Sequence, residues 1–297
     1  MTYPRRFAVE GSGGVCLRPS GCLQPDLLPI VIAVAWVAIL ALTLVIALVH
    51  VRSARSVLEE ERRRTRAERD AFQAFSREVA SIDAAPSGAA TPAQGSVASV
   101  ARPDPDRGLA AVRAAYEETV METDHYEAEY DEPIEVNMAA EFGEEVASAV
   151  AEGQALTPQL REALITGARE ARDRRDRLLD RLDREAENLE ETTGRLADVE
   201  SHLADMNEHR LSTRSFDELT DAWDRLDDLE EECRAALRER QRAVHGDSFT
   251  AGRAPTIQSY LYQPLDVTYP VLAAGTDLVG KIRAARDRVA TAVSRRA

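Results

Sequence analysis

Lysine is nearly absent from this chain: of 37 cationic side chains only Lys281 is a lysine, and 52 Asp and Glu outweigh them to a net charge of −15. Such a surface repels a phosphate backbone, which excludes nucleic acid as a general partner. Three cysteines exclude a disulfide-built scaffold, and five unclustered histidines leave little for a metal or histidine-based catalytic site. No stretch alternates apolar and polar residues as a sheet requires, so the fold class expected is all-α. The glycines at 11–14 are not a phosphate loop, because no strand precedes them and no Gly-Lys-Ser/Thr follows. The acid excess together with the missing lysines predicts a protein built for molar salt, where a Debye length of about 3 Å screens the self-repulsion.

What is present begins with an apolar run. Leu27 to Val51 is 25 residues without Asp, Glu, Lys or Arg, and a helix needs about 20 to cross a bilayer. The expectation is a single transmembrane helix over 27–51. Arg52, Arg55, Arg62, Arg63, Arg64, Arg66 and Arg69 follow it, and this arginine excess predicts a cell-membrane protein with a short outer tail (1–26) and a cytoplasmic C-terminal part. Cys16 and Cys22 flank a turn in the tail and either close a small disulfide or stay thiols.

Leu58, Thr65, Phe72 and Val79 fall seven apart, with Phe75 and Ile82 between, which predicts a juxtamembrane amphipathic helix over 52–82. This stalk either pairs with a second copy of itself or holds anionic lipid head groups with its arginines, so the lipid bilayer and a homo-oligomer through coiled-coil seams are both expected contacts. Residues 83–106, rich in Ala, Pro, Ser and Gly, read as a disordered linker. An acidic helical domain over 107–297 follows. Leu109, Val112 and Tyr116 share a face; Asn137 is expected to cap a helix from Met138 towards Val150, bent at Gly143. Thr157 with Pro158 opens a long helix, and Leu182, Leu189, Leu196 and Leu203 repeat every seven. Ser215 with Glu218 forms a capping box opening a second long helix seamed by Leu219, Trp223, Leu226, Cys233, Leu237 and Val244. Together they predict a coiled-coil hairpin over about 158–245, and Val271, Leu278, Ile282, Ala285, Val289 and Ala292 mark a last helix over about 270–295. Residues 83–270 hold 20 Arg and 42 acids, whereas 271–297 hold six cations and two acids, so the last helix should lie along the acidic hairpin.

The most unusual stretch, Tyr116 to Pro133, carries eight acids, three tyrosines and one histidine. EF-hand spacing is absent, so it reads as a solvated surface with tyrosines turned inward. His125 beside Asp124 has the elements of a general acid/base pair, but no nucleophile elbow accompanies it. His202 and His209 lack a third ligand, Cys233 reads as a buried seam residue, and Tyr260, Tyr262 and Tyr269 read as core tyrosines or a recognition patch.

The segments RTRAERDAFQAF (64–75), AAYEETVMETDHYEAEYDEP (114–133), NMAAEFGEEVASAV (137–150), LTPQLREAL (156–164) and YLYQPLDVTYPVL (260–272) together resemble an uncharacterised family of haloarchaeal membrane-anchored coiled-coil proteins. The resemblance implies a halophilic archaeal source and a membrane protein, and no activity, substrate or catalytic residue. No residue is assigned a catalytic, cofactor-binding or metal-binding role. The expected function is a non-enzymatic, membrane-anchored scaffold, tether or adaptor with an unknown cytoplasmic protein partner. The rival expectations are a signal relay through 52–82 and an enzyme with a site near Asp124 and His125.

Overall fold

The computed structural model describes the backbone of residues 15–18, 21–23, 28–84, 105–207, 213–246 and 256–296, and the side chains of residues 50–84, 107–206, 213–246 and 256–296. The linker expected at 83–106 and His209 lie mostly or wholly outside these. Beyond a two-stranded antiparallel hairpin, β1 (Val15–Arg18) and β2 (Gly21–Leu23), the regular structure described is helical. The hairpin was not foreseen, and its backbone register sets Cys16 opposite Cys22.

The expectation of a transmembrane helix is corrected: among the described residues no helix is long and apolar enough to cross a membrane. The apolar run belongs to α1 (Leu28–Ser81), a helix of 54 residues. Its turns from Arg52 onward carry charge throughout, and the one apolar stripe among them is turned into protein. Absence of charge over a run is a property of composition, and here the run lies in the leading part of a helix that continues, charged, to Ser81.

The chain divides into two compact units. The larger comprises 53–198 and 235–269. It contains α1 from Ser53, α2 (Pro105–Tyr116), a π-helical turn (Glu117–Met121), α3 (Tyr126–Glu129), α4 (Ile134–Phe142), α5 (Glu144–Glu152), most of α6 (Pro158–Asn207), the end of α7 (Phe216–Gly246) and α8 (Ile257–Leu261). The stripe Leu58, Thr65, Phe72, Phe75, Val79 is buried, and Phe72, Phe75 and Val79 join a core with Leu109, Val112 and Tyr116 of α2, Met138 of α4, Val150 of α5 and Leu164 of α6. Phe75 meets Tyr116 edge-on at 5.1 Å and Phe142 at 5.8 Å between centroids, the offset geometry that ring quadrupoles favour. Gly167 of α6 lies under Phe142: a Cβ there would meet the ring Cδ1 at 2.5 Å, so only glycine lets the two helices approach. The stripe that could have paired with a second copy is therefore covered by the chain's own helices.

Asn137 does not cap a helix. The chain enters α4 at Pro133, and Gly143 at φ 90° ends it and admits α5. Asn137 is buried instead, accepting the Tyr116 hydroxyl at 2.5 Å. The starts expected at Thr157 and Ser215 do match their local chemistry. Thr157 Oγ1 accepts the Leu160 N–H at 3.1 Å, while Ser215 N–H donates to Glu218 Oε2 at 2.6 Å and Ser215 Oγ accepts the Glu218 N–H at 3.2 Å.

The smaller unit comprises 1–52, 199–234 and 270–297. Here the end of α6 and most of α7 pack with α9 (Pro270–Ser294) through Val199, Leu203, Leu219, Leu226, Leu229, Cys233, Val271, Leu278, Ile282 and Val289, all buried. Ala222 takes the seam position expected of Trp223, whose indole is 37% exposed and lies under the Arg286 guanidinium at 5.4 Å. The cationic last helix meets the acids as expected: Lys281 reaches Glu200 at 2.9 Å, Arg283 reaches Glu230 at 2.8 Å, and Arg286 reaches Asp227 at 2.7 Å.

Candidate functional site

Asp124 and His125 part company in the fold. Asp124 points into solvent with Arg63 at 4.0 Å, whereas His125 is buried and its Nε2 lies 3.1 Å from Glu68 Oε1 on α1. The carboxylate that orients the imidazole is thus Glu68, 57 residues away, which no local spacing could reveal. The same oxygen accepts the Tyr130 hydroxyl at 3.1 Å, and Oε2 accepts Arg175 Nε at 2.9 Å. Arg175 also forks onto Glu141 through Nη1 at 2.9 Å and Nη2 at 2.5 Å, beneath Phe72, whose ring centre is 4.7 Å from the guanidinium carbon. Arg174 completes the pairing of Glu141 at 2.5 Å, and Arg64 pairs with Glu129. This network ties α1, the 122–133 segment, α4 and α6 together.

Its electrostatics follow from burial and pairing. Burial pushes the Glu141 carboxyl up, but Arg175 and Arg174 outweigh it and leave it below its ordinary value of 4.5. Burial, then the Glu68 charge, pushes the Tyr130 phenol up to about 12, so it donates to Glu68 as a neutral hydroxyl. Burial above all also raises Tyr116.

One ligand atom each from Glu68, His125 and Glu129 fall within 4.8 Å of one another, the spacing of a cation site. Both Glu68 oxygens already accept protein donors, and Glu129 is paired to Arg64. A divalent ion would have to displace Arg175 and Arg64 while those cations stayed beside it, so the geometry is better suited to clamping helices than to ligation. Among the described residues the polar partner of the His125 ring is the Glu68 carboxylate.

A second polar cluster lies wholly inside the larger unit. Glu185 and Arg240 are each 2% exposed as side chains and form a two-bonded pair at 2.6 and 3.0 Å. Gln258 Nε2 and the Tyr262 hydroxyl each donate to Glu185 at 2.7 Å, and Arg240 Nη1 also reaches Asn188 Oδ1 at 2.5 Å. Burial first, then the Glu185 charge, raises the Tyr262 phenol above its usual value. Sequence reasoning missed this cluster although a signal existed: Leu219, Leu226 and Cys233 are seven apart, and the next step lands on Arg240. A charge at a seam position calls for a buried acid opposite.

Of the remaining expected residues, His202 is exposed, and Tyr260 is 52% exposed with its hydroxyl on Glu61 at 2.9 Å. Tyr269 is 37% exposed, and only Tyr262 of the three is core. Cys233 is fully buried; its thiol, donating to the Gly275 carbonyl at 3.6 Å, is pushed up to about 11 chiefly by burial, so it is not a nucleophile at neutral pH.

Neither a curated protein nor a solved structure matches the chain. The sequence profile of a domain of unknown function, DUF7260, does match, over residues 49–286, from three residues before Arg52 to Arg286. That span is most of the molecule, so the chain belongs to the DUF7260 family.

Proposed function

We propose that this chain is a helical scaffold or adaptor that acts through protein–protein contacts in a concentrated-salt medium. What supports this reading is the fate of His125: the one residue whose chemistry suggested catalysis is spent on Glu68, inside an ion-pair network that joins helices. The medium is supported by the net charge of −15 and the single lysine. A partner-facing role also suits the apolar side chains left outside the cores, among them Val136 at 52% and Phe216 at 57% exposure.

The test is photo-crosslinking of the tagged full-length chain in its native salt, since Lys281 leaves amine reagents almost nothing to modify. Reproducible links from 107–297 to one other protein support the adaptor; links confined to random neighbours remove it. A His125→Gln variant that stays folded yet loses a cellular phenotype would favour an enzyme instead. For the medium, the thermal midpoint should rise steadily from 0.1 to 2 M KCl as the acid self-repulsion is screened, by the collapse of the Debye length from about 10 Å to under about 3 Å. A flat or falling midpoint would remove that part of the reading.

A further inference from the structure

Along the facing stretches of α1 and α6 in the larger unit, arginines meet acids. Arg62 and Arg66 reach Asp183, Arg69 reaches Asp70 and Asp176, and Arg175 reaches Glu68 and Glu141. One stretch breaks the pattern. Arg77 of α1 and Arg169 of α6 form no ion pair among the described residues, and both border one cleft of about 190 Å³. Arg172 borders it too, with its Nε and Nη2 held by Asp173 Oδ1 at 3.1 and 2.6 Å and its Nε 3.7 Å from Asp176 Oδ2. Phe72 forms an apolar floor, Gln73 and Ser76 add polar side chains, and no carboxylate lines the cleft.

In a chain with a net charge of −15, two guanidiniums without an ion pair among the described residues, beside a third shared with Asp173 and Asp176, around a recess whose lining holds no carboxylate are an inverted local field, and low-dielectric walls concentrate it. The spacings place them by construction: Gln73 and Arg77 are four apart on one helix and Arg169 and Arg172 three apart on the other, so each pair shares a face. The volume is below the roughly 300–1,000 Å³ of drug-sized pockets and suits a small anion. A planar carboxylate is satisfied by one guanidinium fork, whereas donors converging from two helices match an anion with three terminal oxygens in three dimensions. We propose that the cleft between Arg77 and Arg169 binds a phosphate group, either inorganic phosphate or a phosphate monoester.

The experiment uses the full-length chain at fixed KCl and ionic strength, titrated with inorganic phosphate, O-phosphoserine or acetate and followed by thermal unfolding and calorimetry. Phosphate should raise the midpoint saturably, as a ligand of the folded state does, and acetate should not. The double variant Arg77→Gln, Arg169→Gln should weaken the apparent affinity at least tenfold; both residues are exposed, and circular dichroism checks that the helices remain. If the double variant is misfolded, Arg77→Lys and Arg169→Lys, which keep the charge and lose the fork, should each weaken phosphate several-fold in ³¹P line-broadening titrations. Tighter binding of O-phosphoserine than of inorganic phosphate assigns the site to a carried monoester, and equal binding assigns it to the phosphate group alone. No saturable response to phosphate, an equal response to acetate, or undiminished binding in the variants overturns the proposal.

Discussion

The two units hold themselves together differently. The smaller one has an apolar interior of Leu219, Leu226, Leu278, Ile282 and Val289; Lys281 with Glu200 and Arg286 with Asp227 are part-exposed, and its one buried acid among the described residues, Glu230, is met by Arg234, Arg283 and Arg286 from the part-exposed rim. The larger one places charge and hydroxyl groups inside, with Glu185, Arg240, Gln258 and Tyr262 in one cluster and Tyr116 with Asn137 in another. Apolar seams tolerate sliding by a heptad, because one leucine resembles the next. A buried, fully bonded carboxylate accepts one register only, since every other leaves it without donors. The larger unit, with nine helical pieces or turns among its described residues to arrange, is the one that carries such pins.

The contrast is open to direct attack. The largest effect is expected at Arg240→Met, which strands Glu185 and should cost about 3–5 kcal/mol in urea unfolding, with part of the loss recovered when Glu185→Gln is added. A mutant that loses under about 1 kcal/mol would show that the pair is a passenger. In the smaller unit the heavy loss should come from an apolar site: Leu226→Ala, fully buried, is expected to cost about 2–5 kcal/mol by the cavity it leaves.

Titration separates the units more gently. In acid they behave alike, because Glu141 in one and Glu230 in the other are both held below 4.5 when folded: burial pushes each up, and the arginines around it win. The stability they contribute is complete above pH 4.5 and is lost as pH falls through their lower folded values. In alkali they differ. Cys233 of the smaller unit is raised from 9.0 to about 11, so its contribution is present below pH 9 and fades as pH rises towards 11. Tyr116 and Tyr262 of the larger unit are raised from 10.0, so theirs begins to fade only above pH 10. Urea midpoints between pH 8 and 11 should show the earlier decline vanish in Cys233→Ala and the later one shrink in Tyr262→Phe; a decline unchanged in both variants would refute the assignment. The smallest effect is expected at the rim, where Lys281→Gln should change stability by at most about 1 kcal/mol and less in molar salt.

Much of this architecture was legible in one dimension. Caps are local, so Thr157, Pro158, Ser215 and Glu218 announced their helices, and the stripe through Leu58, Phe72 and Val79 gave the buried face of α1. Three things were not. The role of the run at 27–51 was misjudged because a charge-free composition does not mark where a helix ends, and this one continues to Ser81. Asn137 looked like a cap because its distant partner, the Tyr116 hydroxyl, is set by tertiary packing. The Glu68 and His125 contact joins residues 57 apart in sequence, and Asp124, adjacent in the chain, was the natural and mistaken choice.

Gly167 carries a consequence for the lineage of the fold. A helix interior favours alanine over glycine by about 1 kcal/mol, so drift should long ago have replaced it were the position free. The Phe142 ring, 2.5 Å from where a methyl would stand, forbids the exchange unless both change together. Family members should therefore show paired histories at 142 and 167, a large ring over glycine or a smaller side chain over alanine, and that covariation would mark which distant sequences share this helix contact.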